Sequence, residues 1–346
     1  MKKVLKQVLA VDVAQSELVV CLGKLAEDLT IEKCGGKVFV NSKKGFDLLL
    51  QWVGSRCGKD LPVRFVMEAT GVYHESFAYY LHDLGHDVSI VTPSKISNYM
   101  RTLEMKTITD KTASEAILRF ALERKLDLWA PPKGIYKKLQ QLTRERGQLI
   151  DERTVIKNQL HAEKAEGSPH KKSIARGEKR IKLLITQERE IMQELNDLIK
   201  SDEDVRKAIM LICTIPGIGL LTAAVILGET TGFDLIRNKK QLTSYAGLDP
   251  KEKQSGTSVH IKAKISKRGN KHLRKAMHMP ALCAIRTNER YKSIFARLVS
   301  QHGIKMKAAV AVQRKLLELS YVVYKTQQPF DKEYLKTSQP EISMAV

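Results

Sequence analysis

The sequence predicts an α/β first third, a middle of long helices, and a helical, strongly cationic last third. Three observations predict this. Short β-branched runs alternate with amphipathic stretches over the first 130 residues; Ile135, Leu142, Leu149 and Ile156 recur every seven residues; and apolar helical runs broken by glycine-bearing basic turns fill the C-terminal part. The composition shifts set the expected boundaries at 1–130, 131–203 and 204–330, with a tail over 331–346. A chain of 346 residues is too long for one small core, so two or three units are expected.

In the first third, VLAVDVA (8–14) and ELVVCLG (17–23) flank the polar pair Gln15-Ser16 and read as a hairpin, with KVFVNS (37–42) as a third strand. A helix over about 44–53 follows, then the strand VRFVMEA (63–69), an amphipathic helix over about 75–84, and the strand DVSIVTP (87–93). Three early strands followed by alternating helix and strand predict a mixed sheet with both faces covered. Thr109-Asp110 offers an N-cap for a helix running to about Arg124, which WAPPKG (129–134) ends. The seven-residue spacing from Ile135 and a second stripe, Ile181, Leu184, Ile191, Leu195 and Leu198, predict an antiparallel helical hairpin or a coiled coil. Arg146 and Arg153 interrupt the first seam, which leaves partner exchange or a solvated spacer open. The last third reads as helices, with TIPGIGLLTAAVILGE (214–229), a YAGLDP turn and a basic segment before the final helices.

Charge narrows the partner. A formal net charge of +21 is tolerated mainly where a polyanion neutralises it, so nucleic acid is expected before an anionic membrane surface. No apolar run approaches membrane-spanning length, and the basic start MKKVLKQVLAVDVAQ meets Asp12 before a signal core forms, so a cytosolic protein is expected. The five cysteines, at 21, 34, 57, 213 and 283, form no CxxC pair and indicate neither a disulfide framework nor a zinc site.

Two carboxylates are out of place. Asp12 lies within a strand that should be buried on one face, and Glu68 ends VRFVME; a lone buried carboxylate is costly unless paired or metal-bound. Asp110, at the start of the next helix but one, could add a third oxygen. Hard oxygen ligands with open positions suit Mg²⁺, which can activate an attacking oxygen and stabilise a leaving one in phosphodiester exchange. Singly, each acid also reads as a strand end, an ion-pair partner or a helix cap. Together, in this α/β order, they resemble a nuclease of the ribonuclease H or Holliday-junction resolvase kind.

The basic half adds backbone donors. Gly217 and Gly219 of Pro216-Gly217-Ile218-Gly219 join two apolar helical runs in the manner of a helix-hairpin-helix, whose N–H groups can hold a phosphate without reading bases. A second glycine turn, Lys267-Arg268-Gly269-Asn270-Lys271, continues into His272 and Arg274, and Lys262 and Lys264 precede it. KEKQSGTSVHIKAKISKRGNKHLRK (251–275) holds nine Lys or Arg and one acid, so phosphate contact is favoured over a solvated face. Between the two turns lies Ser255, whose hydroxyl becomes a nucleophile only if metal coordination of the phosphate or a nearby base activates it. Thr257 and Ser258 compete with it, and spacing does not separate them.

With these residues in hand, nearly the whole chain resembles the IS110-family transposases, the recombinases of IS110/IS1111 type. The resemblance runs through LAVDVAQ, VMEATGVYH, KTITDKTASEA, TIPGIG, SYAGLDP and QSGTSVHIKAKISKRGNKHLR. It implies an α/β RuvC-like (RNase H-like) N-terminal domain with a DEDD-type metal site, a coiled-coil linker, and a mainly α-helical C-terminal transposase domain with a helix-hairpin-helix and a catalytic serine. Matched by position, Asp12, Glu68 and Asp110 take the first three acidic positions and Ser255 the nucleophile position. The fourth acid is missing: Ala113 stands where the family has a second Asp. Either three carboxylates suffice, or Glu115 reaches in, although five residues along a helix it lies well round from Asp110, or metal binding is weakened.

The resemblance further implies donor and target DNA as partners, a structured guide RNA that pairs with both, and a homo-oligomer, dimer or tetramer, in which the metal site of one subunit meets the serine of another. It also implies a bacterial setting, in the cytoplasm on nucleoid DNA. Delegating sequence reading to base pairing would fit a large basic surface without an obvious base-reading helix. Two other readings stay open: a resolvase-like metal-dependent endonuclease in which water attacks, and a non-catalytic nucleic-acid-binding factor.

Overall fold

The computed structural model describes residues 3–58, 61–69, 71–103, 107, 109–234, 236–255 and 259–331, and over 252–255 and 259–263 it describes the backbone. It divides into two compact units, residues 1–131 and 132–346.

The first unit is a mixed five-stranded sheet. Strands β1 (Val4–Val13), β2 (Glu17–Ala26) and β3 (Ile31–Val40) form an antiparallel meander, and β4 (Val63–Glu68) and β5 (Val88–Val91) add parallel to β1, in the order β3-β2-β1-β4-β5. This is consistent with the RuvC-like sheet that the resemblance implies. Strict alternation along β1 sends Leu9, Val11 and Val13 to one face and Val8 and Ala10 to the other. The first face packs with Phe65, Met67 and Phe77 under α1 (Lys43–Gly54) and α2 (Glu75–Asp83). The second lies with Val66 under α3 (Pro93–Thr102) and α4 (Asp110–Glu123), through Ile96, Ile117, Leu118 and Leu122. A Cβ on Gly45 would stand 1.9 Å from the Val40 carbonyl oxygen, so the turn from β3 into α1 admits glycine alone.

The second unit begins with two 31-residue helices, α5 (Gly134–Lys164) and α6 (Lys171–Ser201). The cross-pairs Arg146–Glu188, Lys164–Glu178 and Arg180–Glu152 run in opposite directions along the two helices, so they form an antiparallel hairpin. Arg146 and Arg153, the two interruptions of the apolar seam, both donate to Glu188, which matches one acid to two misplaced cations. The hairpin's base, through Tyr136, Leu139, Leu142, Ile191, Leu195 and Ile199, shares one core with the rest of the unit.

Around that core lie α7 (Glu203–Ile212), α8 (Leu220–Thr230), α9 (Lys239–Tyr245), α10 (Lys271–Ala276), α11 (His278–Thr287), α12 (Glu289–His302) and α13 (Lys305–Thr326). Between α9 and α10 the structure departs from the helical expectation. Residues Pro250–Ser255 (β6) and Val259–Ile265 (β7) form a two-stranded antiparallel ribbon. Among the described residues no helix is long and apolar enough to cross a membrane.

Candidate functional site

Strand alternation brings the acids together. Asp12 follows Val8 and Ala10 on the face of β1 that α4 covers, and Glu68 follows Val66 on the same face of β4. Val11 is in register with Met67 on a parallel strand, so Asp12 and Glu68 are the next step along, at neighbouring carboxyl ends. Such ends are where open α/β sheets place ligands. Asp110 opens α4 over the same face: Thr109 is the cap, its hydroxyl accepting from Thr112 N, which leaves Asp110 exposed in the first turn.

The electrostatics agree. The Asp12 carboxyl is pushed up to about 6, first by burial and then by the charges of Asp110 and Glu68, against a hydrogen bond from the Val13 N–H. Three carboxyl groups within electrostatic reach of one another offer oxygen donors alone, the kind a hard divalent cation takes. Among the described residues no three acidic, His or Cys side chains stand close enough to grip an ion as placed. Ala113 is half-buried in the first turn of α4, and Glu115 is committed elsewhere, accepting from Lys33 on β3.

In the second unit, α7 and α8 are joined through Cys213 to Gly219. Gly217 has φ +83°, and a Cβ there would meet the Pro280 carbonyl oxygen at 2.3 Å, so this glycine seats the turn on α11 of its own unit. Gly219 differs: it is exposed at the N-terminus of α8 with open space around it.

The ribbon carries Ser255 at the end of β6, paired with Val259 and five residues from Pro250, a rise of roughly 17 Å along the strand. The hydroxyl of Ser255, the side chain of Lys262, and Thr257 and Ser258 lie outside the described residues. The base of the ribbon is stapled. Ser266 N donates to Asp249 O at 2.8 Å and Ser266 Oγ to Asp249 Oδ1 at 2.6 Å. The YAGLDP and SKRGN turns then interlock: a Cβ on Gly269 (φ +139°) would stand 2.3 Å from Tyr245 O, and one on Gly247 (φ +66°) 2.7 Å from Arg274 Nη1.

Lys264, Lys267, Arg268 and Lys271 are exposed around this staple. Arg274 is drawn into it, donating from Nη1 to Ala246 O at 2.8 Å. His272 is half-buried, and burial holds its imidazole below the ordinary value, with Arg144, Lys271 and Lys275 adding to the effect and Glu229 opposing it. The pairings of Asp249 with Ser266 and of Asn270 with Glu229 are not visible in the sequence alone. The period-2 run VHIKAKI was the available signal for the ribbon, and a lone acid in the apolar helix AAVILGE was the one for Glu229.

Two family models match the chain: one described as Transposase, over residues 9–163, and one described as Transposase IS116/IS110/IS902 family, over residues 210–296. The pilin gene-inverting protein of Moraxella lacunata is 31% identical over 333 residues, covering 94% of this chain and 98% of the relative. The transposase for insertion sequence element IS1328 of Yersinia enterocolitica is 23% identical over 290 residues, covering 76% of this chain and 84% of the relative. Among solved structures, T. thermophilus RuvC in complex with Holliday junction substrate aligns with 36% of this chain and 99% of that one, at 10% identity and a TM-score of 0.27.

Proposed function

This chain belongs to the IS110 family of insertion-sequence transposases, enzymes acting on DNA, and we propose that it is an RNA-guided recombinase using a divalent cation, Mg²⁺, and Ser255 as nucleophile. The observation that carries the proposal is the convergence of Asp12, Glu68 and Asp110 on one face of the sheet, where burial first and the charges of Asp110 and Glu68 second raise the Asp12 carboxyl to about 6. These three would hold the cation, with three carboxylates sufficing because Ala113 offers none and Glu115 is paired with Lys33. When bound, the cation supplies Lewis-acid stabilisation of charge on the phosphate oxygens.

The chain's own residues supply the rest. Ser255 Oγ forms the bond to phosphorus as the bond from phosphorus to a deoxyribose oxygen breaks; the serine proton leaves and the freed DNA hydroxyl takes one up. Attack by a second DNA hydroxyl reverses the exchange, so phosphodiester energy is kept and strands are rejoined without ATP. Lys264, Lys267, Arg268 and Lys271 hold the backbone, with Lys262 next to them in sequence. The N–H groups opening α8 at Gly219 add a phosphate site of helix-hairpin-helix type. Base pairing by a structured RNA reads donor and target sequence, and the helical hairpin assembles a dimer or tetramer as a coiled coil. The net charge of +21 supports both nucleic-acid partners.

The test is a denaturing gel of protein, RNA, element DNA and Mg²⁺. Wild type should give a covalent protein–DNA band, and Ser255→Ala should lose both band and recombination while still binding DNA. Recombination by Ser255→Ala, with loss in Thr257→Ala or Ser258→Ala, reassigns the nucleophile. Cutting by all three, abolished only by acid substitutions, establishes a water-using endonuclease. Unaltered DNA from wild type leaves a binding factor.

A further inference from the structure

Glu229 is a charged residue where charge is expensive. Its side chain is fully shielded from solvent within α8, because a glycine precedes it: a Cβ on Gly228 would stand 2.8 Å from Gln140 N, so α8 meets the backbone of α5 directly. The carboxylate is then fully employed. Arg144 of α5 donates to it twice, Nε to Oε1 at 2.7 Å and Nη2 to Oε2 at 2.8 Å; Asn270 Nδ2 donates to Oε2 at 2.6 Å; and Gln140 Nε2 donates to Oε2 at 3.4 Å. Burial alone would raise this carboxyl, yet the bonds from Arg144 and Asn270 and the charge of Arg144 hold it below the ordinary glutamate range.

Asn270 is the hinge of the arrangement. Its Oδ1 accepts from Leu273 N at 2.9 Å and so caps α10, its amide nitrogen is spent on Glu229, and its backbone N donates to Tyr245 O at 2.7 Å. Tyr245 in turn donates from its hydroxyl to the Glu229 carbonyl oxygen at 2.9 Å. Lys267, Arg268 and Lys271 flank Asn270 on the exposed side. Capping alone does not need Glu229, and apolar residues in place of the whole Glu229–Arg144 pair would be no less stable in a helical core. A buried carboxylate, paired with a half-exposed arginine and tied to the middle of a cationic turn, has a use in fixing where that turn points.

We infer that Glu229 is a positioning residue for DNA: with Arg144 it fastens Asn270, and through it the Lys267–Lys271 turn, to helix α5. This rests on the reading that the turn grips a phosphate backbone. Asn270→Ser separates the two roles of Asn270, since serine caps a helix but is too short to reach Glu229, and Asn270→Asp caps while setting a second carboxylate against it. Arg144→Gln releases the carboxylate from its other end.

The experiment measures binding of the full chain to duplex DNA against salt, with thermal melts on each variant. Lys267→Ala/Arg268→Ala should weaken binding and lower the salt slope by about 2, near 0.9 for each lost phosphate contact. Asn270→Ser and Asn270→Asp should weaken binding about tenfold and lower the slope by about 1–2, and Arg144→Gln should do so non-additively with Asn270→Ser. Wild-type affinity and slope in Asn270→Ser and Arg144→Gln, with the lysine–arginine variant impaired, overturn the positioning role and leave the turn's contact intact. An unimpaired lysine–arginine variant overturns the contact and the positioning role with it. Should Asn270→Ser melt early, Arg144→Gln, altered on α5 away from the cap, decides by the same slope.

Discussion

Asp12→Asn should make the protein more stable and inactive at once. In the absence of a cation, Asp12 is half-buried beside Asp110 and Glu68, and burial first and those two charges second raise its carboxyl from 3.8 to about 6. A two-unit shift corresponds to about 3 kcal/mol of disfavoured charge, which solvent screening of this half-exposed group reduces to about 1–2 kcal/mol. The sign follows from linkage: an acid whose folded pKa is raised contributes stability that is whole below its unfolded value and is lost as pH rises through the folded one. The loss therefore runs between about pH 4 and 6 and is complete at 7.5. Asparagine removes the charge and can still accept from the Val13 N–H. Melts in EDTA at pH 7.5 should show the first unit of Asp12→Asn unfolding about 3–6 °C above wild type, with the gap closing at low pH. Added Mg²⁺ should stabilise wild type and leave the variant nearly unmoved. A variant that melts at or below wild type in EDTA, or that gains as much from Mg²⁺, refutes the convergence of the three acids.

Gly217→Ala combines φ +83° with a 2.3 Å approach to the Pro280 carbonyl oxygen, so it should destabilise the second unit by about 2–4 kcal/mol in denaturant melts. Glu188→Gln leaves Arg146 and Arg153, two turns apart on α5, at the seam with no anion opposite them. It should cost about 1–3 kcal/mol, read as earlier loss of helical circular dichroism, with Arg153→Leu partly restoring it. Mixing Asp12→Asn with Ser255→Ala protein should restore recombination that neither shows alone, as expected if one subunit's acids serve another's hydroxyl. An inactive mixture, with mixed oligomers formed, shows that each chain uses its own pair.

Much of the fold was legible because period decides it. The alternation of VLAVDVA and VRFVMEA specifies strands buried on both faces, and the seven-residue spacing from Ile135 specifies a long helix. Helix α3 was lost because PSKISNYMRT buries only Ile96 and Tyr99, too few to set a period. The N-terminal half of β3 was lost because IEKCGG is an edge segment with charges and two glycines, stabilised by pairing with β2 and not by its own burial. The β6–β7 ribbon was missed for a different reason. VHIKAKI alternates clearly, but its lysines suit a solvated cationic segment as well as a strand, and the ribbon's stability comes from the Asp249–Ser266 and Gly247–Gly269 staples, which pair residues 17 and 22 positions apart.

The site divides along the same line. Asp12 and Glu68 were readable because strand parity is local: lying two residues beyond the buried Ala10 and Val66, each acid falls on a face fixed by its own strand, and only the order of β1 and β4 was needed to bring them side by side. Asp110 required one more fact, that α4 crosses that face beginning from its own cap at Thr109. Glu229 was not readable by any such rule. An acid in an apolar helix is ambiguous until the partner is known, and its partners, Arg144 and Asn270, lie 85 and 41 residues away on elements whose packing depends on Gly228. Charge in this chain therefore has two grammars. Exposed cations are counted from composition, whereas the carboxylates that aim them are found only where the fold has hidden them.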